Sequence, residues 1–226
     1  MANKSKLILV VAAVVAMSAG FWFSSMQESG NNEAAVSVKQ KAHDEALTEA
    51  RKKFSPIQGT ILSPARKIAV PALIKDNGSA FSQKDLTGHW SLLFFGYTHC
   101  PDVCPITMGV AAQAKKLAAA DNRIFPDVFF ISVDPERDKV EMLAEYVQYF
   151  DKDFTGVTGD EDLIKALTLQ MSVVYMKMSS SDTDYVVDHS SALLLLNPEG
   201  KLVAFMNPPH DPKVILKDLE KVISLQ

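Results

Sequence analysis

Trp90-Ser91-Leu92-Leu93-Phe94-Phe95-Gly96-Tyr97-Thr98-His99-Cys100-Pro101-Asp102-Val103-Cys104-Pro105 is the stretch on which the fold turns. The run from Trp90 to Phe95 is apolar on both faces of an extended chain, the pattern of a strand inside a sheet. Ile106 to Ala120, rich in Ala and Lys, predicts a helix. Between them a turn carries both cysteines of the chain. The first turn of a helix has free backbone N–H groups and the positive end of the helix dipole, and both favour thiolate over thiol. Pro105 suits the first helical position, where no N–H donor is needed.

Pro101, Asp102 and Val103 separate the two thiols, one residue more than in the usual dithiol redox spacing. With Pro101 and Pro105 bracketing the segment, both sulfurs can lie on one side of the turn. They can close a disulfide or hold one soft metal ion between them. Two buried cysteines that merely pack are the alternative, since free Cys is a small hydrophobe.

Outward from this turn, strands and helices alternate. Val128 to Val133 reads as a second buried strand, Lys139 to Phe150 as a helix, Phe154 to Val157 as a short strand and Glu161 to Met171 as a helix. Val173 to Met178 reads as a strand and Ser179 to Asp184 as a polar loop. Ala192 to Leu196 and Lys201 to Phe205 form a hairpin around Asn197-Pro198-Glu199-Gly200, and Asp211 to Leu225 is a closing helix. Upstream, Ile68 to Ile74 and Ser79 to Phe81 read as strands around an Asn-Gly turn, and Ser82 to Leu86 as a single helical turn. This order predicts an α/β fold, a thioredoxin-like central sheet with helices on both faces over residues 56–226. The dithiol then sits at the carboxyl end of a central strand, where open α/β sheets place their sites.

Of the five histidines, His189 has the telling position. It lies in Val186-Val187-Asp188-His189-Ser190-Ser191, read as a loop before the strand Ala192 to Leu196. In a thioredoxin-like topology that loop lies against the dithiol turn and carries a cis-proline; here no proline stands between Ser179 and Leu196. Cys100, Cys104 and His189 thus form a candidate metal triad. Two thiolates and an imidazole suit Cu(I), which takes soft ligands at low coordination, with Cu(II) left open. A structural zinc would want a fourth protein ligand. Asp188 reads either as an acceptor orienting the imidazole or as a solvated loop residue. Asp102 reads as the helix cap. His99 can tune Cys100; His43, His89 and His210 read as residues of the spacer, a strand entrance and a loop. Asp134-Pro135-Glu136-Arg137-Asp138 reads as an acidic docking rim or as the cap of the next helix. Met176 and Met178, at alternating strand spacing, read as core.

At the amino terminus, Lys4 and Lys6 precede an uncharged run from Leu7 to Met26. As a helix this run spans ~30 Å, the hydrocarbon thickness of a bilayer. Phe21-Trp22-Phe23 suits the membrane interface. Residues 1–26 are read as an uncleaved single transmembrane helix, with a signal peptide cleaved near Ala16-Met17-Ser18 as the alternative, and 27–55 as a polar, partly helical spacer. The positive-inside rule puts the amino terminus in the cytoplasm and the globular domain on the periplasmic side of the inner membrane. A net charge of -4 argues against a nucleic-acid partner.

Phe95-Gly-Tyr-Thr-His-Cys-Pro-Asp-Val-Cys-Pro105, Ser132-Val-Asp-Pro-Glu-Arg-Asp138 and Val187-Asp-His-Ser190 with Asn197-Pro-Glu-Gly200 together resemble the Sco/SenC family. These are membrane-anchored copper-binding proteins of cytochrome c oxidase assembly. The resemblance carries the copper ligands to Cys100, Cys104 and His189. It implies a metallochaperone, not an enzyme, that delivers copper to the dinuclear copper site of an oxidase subunit, with a copper donor and a thiol reductant as further partners. The alternative is a thiol–disulfide oxidoreductase in which Cys100 and Cys104 are the redox dithiol. A thiol peroxidase on the same fold would leave the second cysteine and His189 unexplained.

Overall fold

The computed structural model describes residues 58–179 and 185–225, and Lys41 besides. The elements run β1 (Gly59–Lys67), β2 (Leu73–Lys75), β3 (Ala80–Phe81), a 3-10 helix (Gln83–Leu86), β4 (Ser91–Gly96), α1 (Val103–Ala120), β5 (Asp127–Ser132) and α2 (Val140–Phe150). They continue with β6 (Thr155–Thr158), α3 (Glu161–Gln170), β7 (Tyr175–Ser179), β8 (Tyr185–His189), β9 (Leu193–Leu196), β10 (Lys201–Met206) and α4 (Pro212–Ser224). Strand β4 is buried at every position. It pairs in parallel with β5 on one side and antiparallel with β9 on the other. A strand with neighbours on both edges and layers on both faces has no room for polar side chains, which is why its sequence is a run and not an alternation.

The main sheet has the order β1-β10-β9-β4-β5-β6-β2-β3. The β4-α1-β5 and β5-α2-β6 crossovers are parallel units, and α1 packs between α2 and α4. Asp160 caps α3 by accepting from the amides of Asp162 and Leu163, and Asp211 caps α4 through those of Lys213 and Val214. The predicted β9–β10 hairpin forms, its turn closed by the Asn197 side-chain oxygen and by Gly200 at φ 70°.

Three elements differ from the sequence reading. Strand β1 had no counterpart in it. Pro64 breaks the apolar pattern there, and only an edge strand with an irregular register, as β1 has against β10, tolerates such a proline. Helix α1 begins at Val103 and not at Ile106, which draws Cys104 into its first turn and makes Pro105 the third helical residue. That position still lies among the N–H groups that need no helical partner. His189 is not in a loop: it ends β8, which pairs with β7 as a two-stranded ribbon apart from the main sheet. One face of that ribbon is open to solvent. Met176 and Met178 stand there, 60% and 53% exposed, and are not core, whereas Met171 is fully buried.

Residues Pro56–Gln226 form one compact unit. The anchor and spacer expected over residues 1–55 lie outside the described residues, Lys41 excepted. Among the described residues no helix is long and apolar enough to cross a membrane.

Candidate metal centre

The end of β4, the first turn of α1 and the end of β8 meet at one point. Their ligand atoms, the Cys100 and Cys104 sulfurs and an imidazole nitrogen of His189, lie within 4.8 Å of one another. Both cysteines are free thiols. The Cys104 sulfur stands 3.2 Å from His189 Nε2. The other ring nitrogen, Nδ1, is 3.0 Å from the Ser190 carbonyl oxygen. A carbonyl only accepts, so Nδ1 carries the proton and Nε2 turns its lone pair to the sulfurs. The ring is held edge-on between Phe94 and Tyr97, with centroids 5.9 and 5.8 Å away.

The two thiols are not equivalent. The Cys104 amide points at the Cys100 sulfur at 3.5 Å, the helix N-terminus acting as an anion site. The hydrogen bond from Cys104 pulls the Cys100 thiol down to about 4 against the opposing effect of burial, helped by the amides of Asp102 and Cys104. That same hydrogen bond, and then burial, pushes the Cys104 thiol up. The resting pair is therefore a Cys100 thiolate beside a Cys104 thiol. The shift is downward, so the thiolate persists as pH falls until about 4. Alkylation of the reduced protein by iodoacetamide should then change little between about pH 8 and pH 6 and should label Cys100. An unperturbed thiol would slow ~100-fold over that range. A rate that rises with an inflection near the ordinary thiol value would contradict this geometry.

The outer residues are not those the sequence singled out. Asp188 is exposed and pairs across the ribbon with Met176, while the imidazole takes the Ser190 carbonyl as its partner. Asp102 stands at the helix cap position but its side chain makes no capping bond; its contribution to Cys100 is its backbone amide. The His99 ring lies 3.1 Å from the Thr98 hydroxyl and 3.7 Å from Asp138. His89 sits by Asp127 and His210 by the Ser191 carbonyl, both away from the sulfurs' ligand group. His43 lies outside the described residues.

The residues that sequence reasoning misplaced are Asp134 and Asp138. Neither forms an exposed rim, and neither caps α2, whose cap position is Lys139. Both are fully buried. Asp138 accepts from the Thr98 amide at 3.0 Å, from the Thr98 hydroxyl at 2.6 Å and from the Ser132 hydroxyl at 2.6 Å. A buried carboxylate with three charge-assisted bonds is rigid, and this one pins the turn that leads into Cys100. The available signal was the pair of aspartates flanking Arg137, which read equally well as surface charge.

A family model described as SCO1/SenC matches residues 65–224. The chain is 43% identical over 146 residues to Protein SCO1 homolog 1, mitochondrial, of Arabidopsis thaliana, covering 62% of this chain and 42% of that protein. It is therefore matched to less than half of that relative's length. It is 35% identical over 152 residues to the SCO2-like protein of Rickettsia felis, covering 66% of this chain and 73% of the other. Among solved structures, Arabidopsis thaliana ScoI with copper bound aligns with a TM-score of 0.65 at 38% identity, over 71% of this chain and 100% of that one. Yeast Sco1 with copper bound aligns with a TM-score of 0.66 at 28% identity, over 71% and 90%. The family match takes in the dithiol turn, the buried aspartates and the His189 ribbon together, on a thioredoxin-like fold, and the chain belongs to the SCO1/SenC family.

Proposed function

We propose that this protein is a copper metallochaperone that holds copper through Cys100, Cys104 and His189 and passes it to the copper-accepting subunit of cytochrome c oxidase. The observation that carries the reading is the convergence of two sulfurs and an imidazole nitrogen within 4.8 Å. The donor set fits Cu(I): soft thiolates, one neutral imidazole and no hard carboxylate among the ligand atoms. Copper-bound structures of two relatives support it. In this reading Cys100 enters as thiolate and the Cys104 thiol loses its proton as metal binds. Residues 1–26 anchor the chain in the inner membrane and the domain works on the periplasmic side, which the charge asymmetry around Leu7 to Met26 supports. A copper donor and a thiol reductant complete the cycle, because an oxidising compartment does not keep two neighbouring thiols reduced.

A second reading rests on the same pair. A Cys100 thiolate beside a buried Cys104 thiol is also the arrangement of a dithiol reductant. In it, two thiols of this chain become a disulfide while an acceptor disulfide becomes two thiols. One experiment separates the two. The copper-loaded protein is mixed with the reduced copper-binding domain of the oxidase subunit, and the copper-free reduced protein with the oxidised domain. Copper moving to the reduced domain supports delivery. Copper staying put while the acceptor disulfide is reduced replaces delivery with reduction.

A further inference from the structure

We propose that Arg137 is a positioning residue for the metal site, a latch that holds the β7–β8 ribbon where His189 meets the two sulfurs. The inference rests on the copper reading above. The ribbon shares no strand pairing with the main sheet, so side chains must fix its place. The ties converge on the segment Asp134–Arg137. Arg137 Nη1 donates to the Tyr185 carbonyl at 3.1 Å, at the start of β8. Its guanidinium lies 3.7 Å from the centre of the Tyr185 ring. Its Nε donates to Asp134 Oδ2 at 2.5 Å. The Tyr185 hydroxyl returns to the other oxygen of Asp134 at 2.7 Å. Beside them Lys177, on β7, pairs with Glu136 at 3.2 Å and with Glu161 at 3.3 Å.

The latch reaches the imidazole through a ring. The guanidinium lies 5.6 Å from the Tyr97 centroid, and Tyr97 packs edge-on against His189. One cation therefore fixes both the start of β8 and the ring that backs the ligand near its end. Arg137 does this as a planar group, with two tyrosines near its charge and two nitrogens bonded; Nη2 is buried without a hydrogen-bond partner among the described residues. A lysine offers a point charge and no plane, so it can keep the Asp134 pair but not the stack. Residues that orient a metal ligand without touching the metal change metal affinity by about 10- to 100-fold.

The test is a double-mutant cycle read as Cu(I) affinity of the reduced protein, by competition with a chromophoric chelator. The variants are Arg137→Leu, Arg137→Lys and Tyr185→Leu, each in the wild-type and in the His189→Ala background. Arg137→Leu strands the buried Asp134 carboxylate and can fail to fold. Tyr185→Leu removes the stacking partner and leaves the Asp134–Arg137 pair in place, so it decides the matter alone if needed. A latch acting through His189 predicts a loss of about 10-fold in the wild-type background and none once His189 is gone. Arg137→Lys should behave like Arg137→Leu in affinity while recovering thermal stability. Equal losses in both backgrounds mean a merely structural residue and overturn the proposal, as does no loss in either. If His189→Ala itself binds copper as the wild type does, the three-ligand reading fails first and is seen to fail independently of Arg137.

Discussion

Replacing His189 with alanine should lower Cu(I) affinity by about 100-fold or more, since removing an outer partner of a metal ligand already costs 10- to 100-fold and His189 is offered as a ligand itself. The geometry gives the reason. The Nδ1 proton is committed to the Ser190 carbonyl, so the lone pair at Nε2 has no use within the chain other than the sulfurs it faces. Phe94 and Tyr97 pack edge-on against the ring and hold it in that orientation. The same variant should leave the Cys100–Cys104 disulfide able to form, because the two sulfurs are set by β4 and α1 and not by β8. The measurement is copper stoichiometry and competition affinity of the reduced domain, beside disulfide formation in oxidising buffer. Loss of copper with the disulfide intact is the expected pair of results. Copper binding that needs both cysteines and ignores His189 would make the metal incidental to a redox dithiol.

The second large effect comes from a residue with no side chain. Gly96 ends β4, directly beneath the dithiol turn. A Cβ built there would lie 2.7 Å from the Cys104 sulfur and 2.9 Å from the Phe130 ring. Neither neighbour can yield, since Phe130 and Cys104 are both fully buried. Gly96→Ala should therefore destabilise the domain by about 2 kcal/mol, the ordinary cost of overpacking a core, and should displace one of the two sulfurs. For a domain of this size that lowers Tm by roughly 5 °C. Copper affinity should fall with it. Gly109, inside α1, is the control: a Cβ there meets nothing within 4 Å. Gly109→Ala should raise stability by about 0.5–1 kcal/mol through helix propensity, with copper affinity unchanged. Thermal unfolding of the copper-free proteins decides it. Equal effects of the two substitutions would mean that the close approach at Gly96 is relieved at no cost.

How much of this was legible in the chain depended on whether a residue's role is local. The run Trp90 to Phe95 announced a central strand because burial on both faces leaves a direct mark on composition. The dithiol turn and α1 followed from spacing and from helix-terminus chemistry. His189 stood out by its place before the Leu193–Leu196 strand, although β8 itself did not, its Asp188 and His189 interrupting any apolar pattern. Alternation at Met176 and Met178 correctly signalled a strand. It carries no information on which face is covered, and the face those residues occupy is open. Asp134 and Asp138 were illegible for a related reason. Their partners Thr98 and Tyr185 come from two distant segments, and a carboxylate after a strand looks alike in sequence whether it faces water or a buried hydroxyl. The anchor over residues 1–26 rests on hydropathy and charge alone.

The unequal depth of the two sulfurs sets the order of events at this centre. Cys104 is 0% exposed and Cys100 is 9% exposed. Of the two sulfurs, Cys100 is the one an incoming thiolate can reach, whether it comes to share a copper ion in the proposed transfer or to attack a disulfide. In the proposed transfer the bond to Cys100 would be exchanged before the bond to the deeper Cys104. A covalent adduct caught midway would be joined through Cys100 in every case. Between the two sulfurs, the chain's own burial pattern would give the proposed exchange its direction.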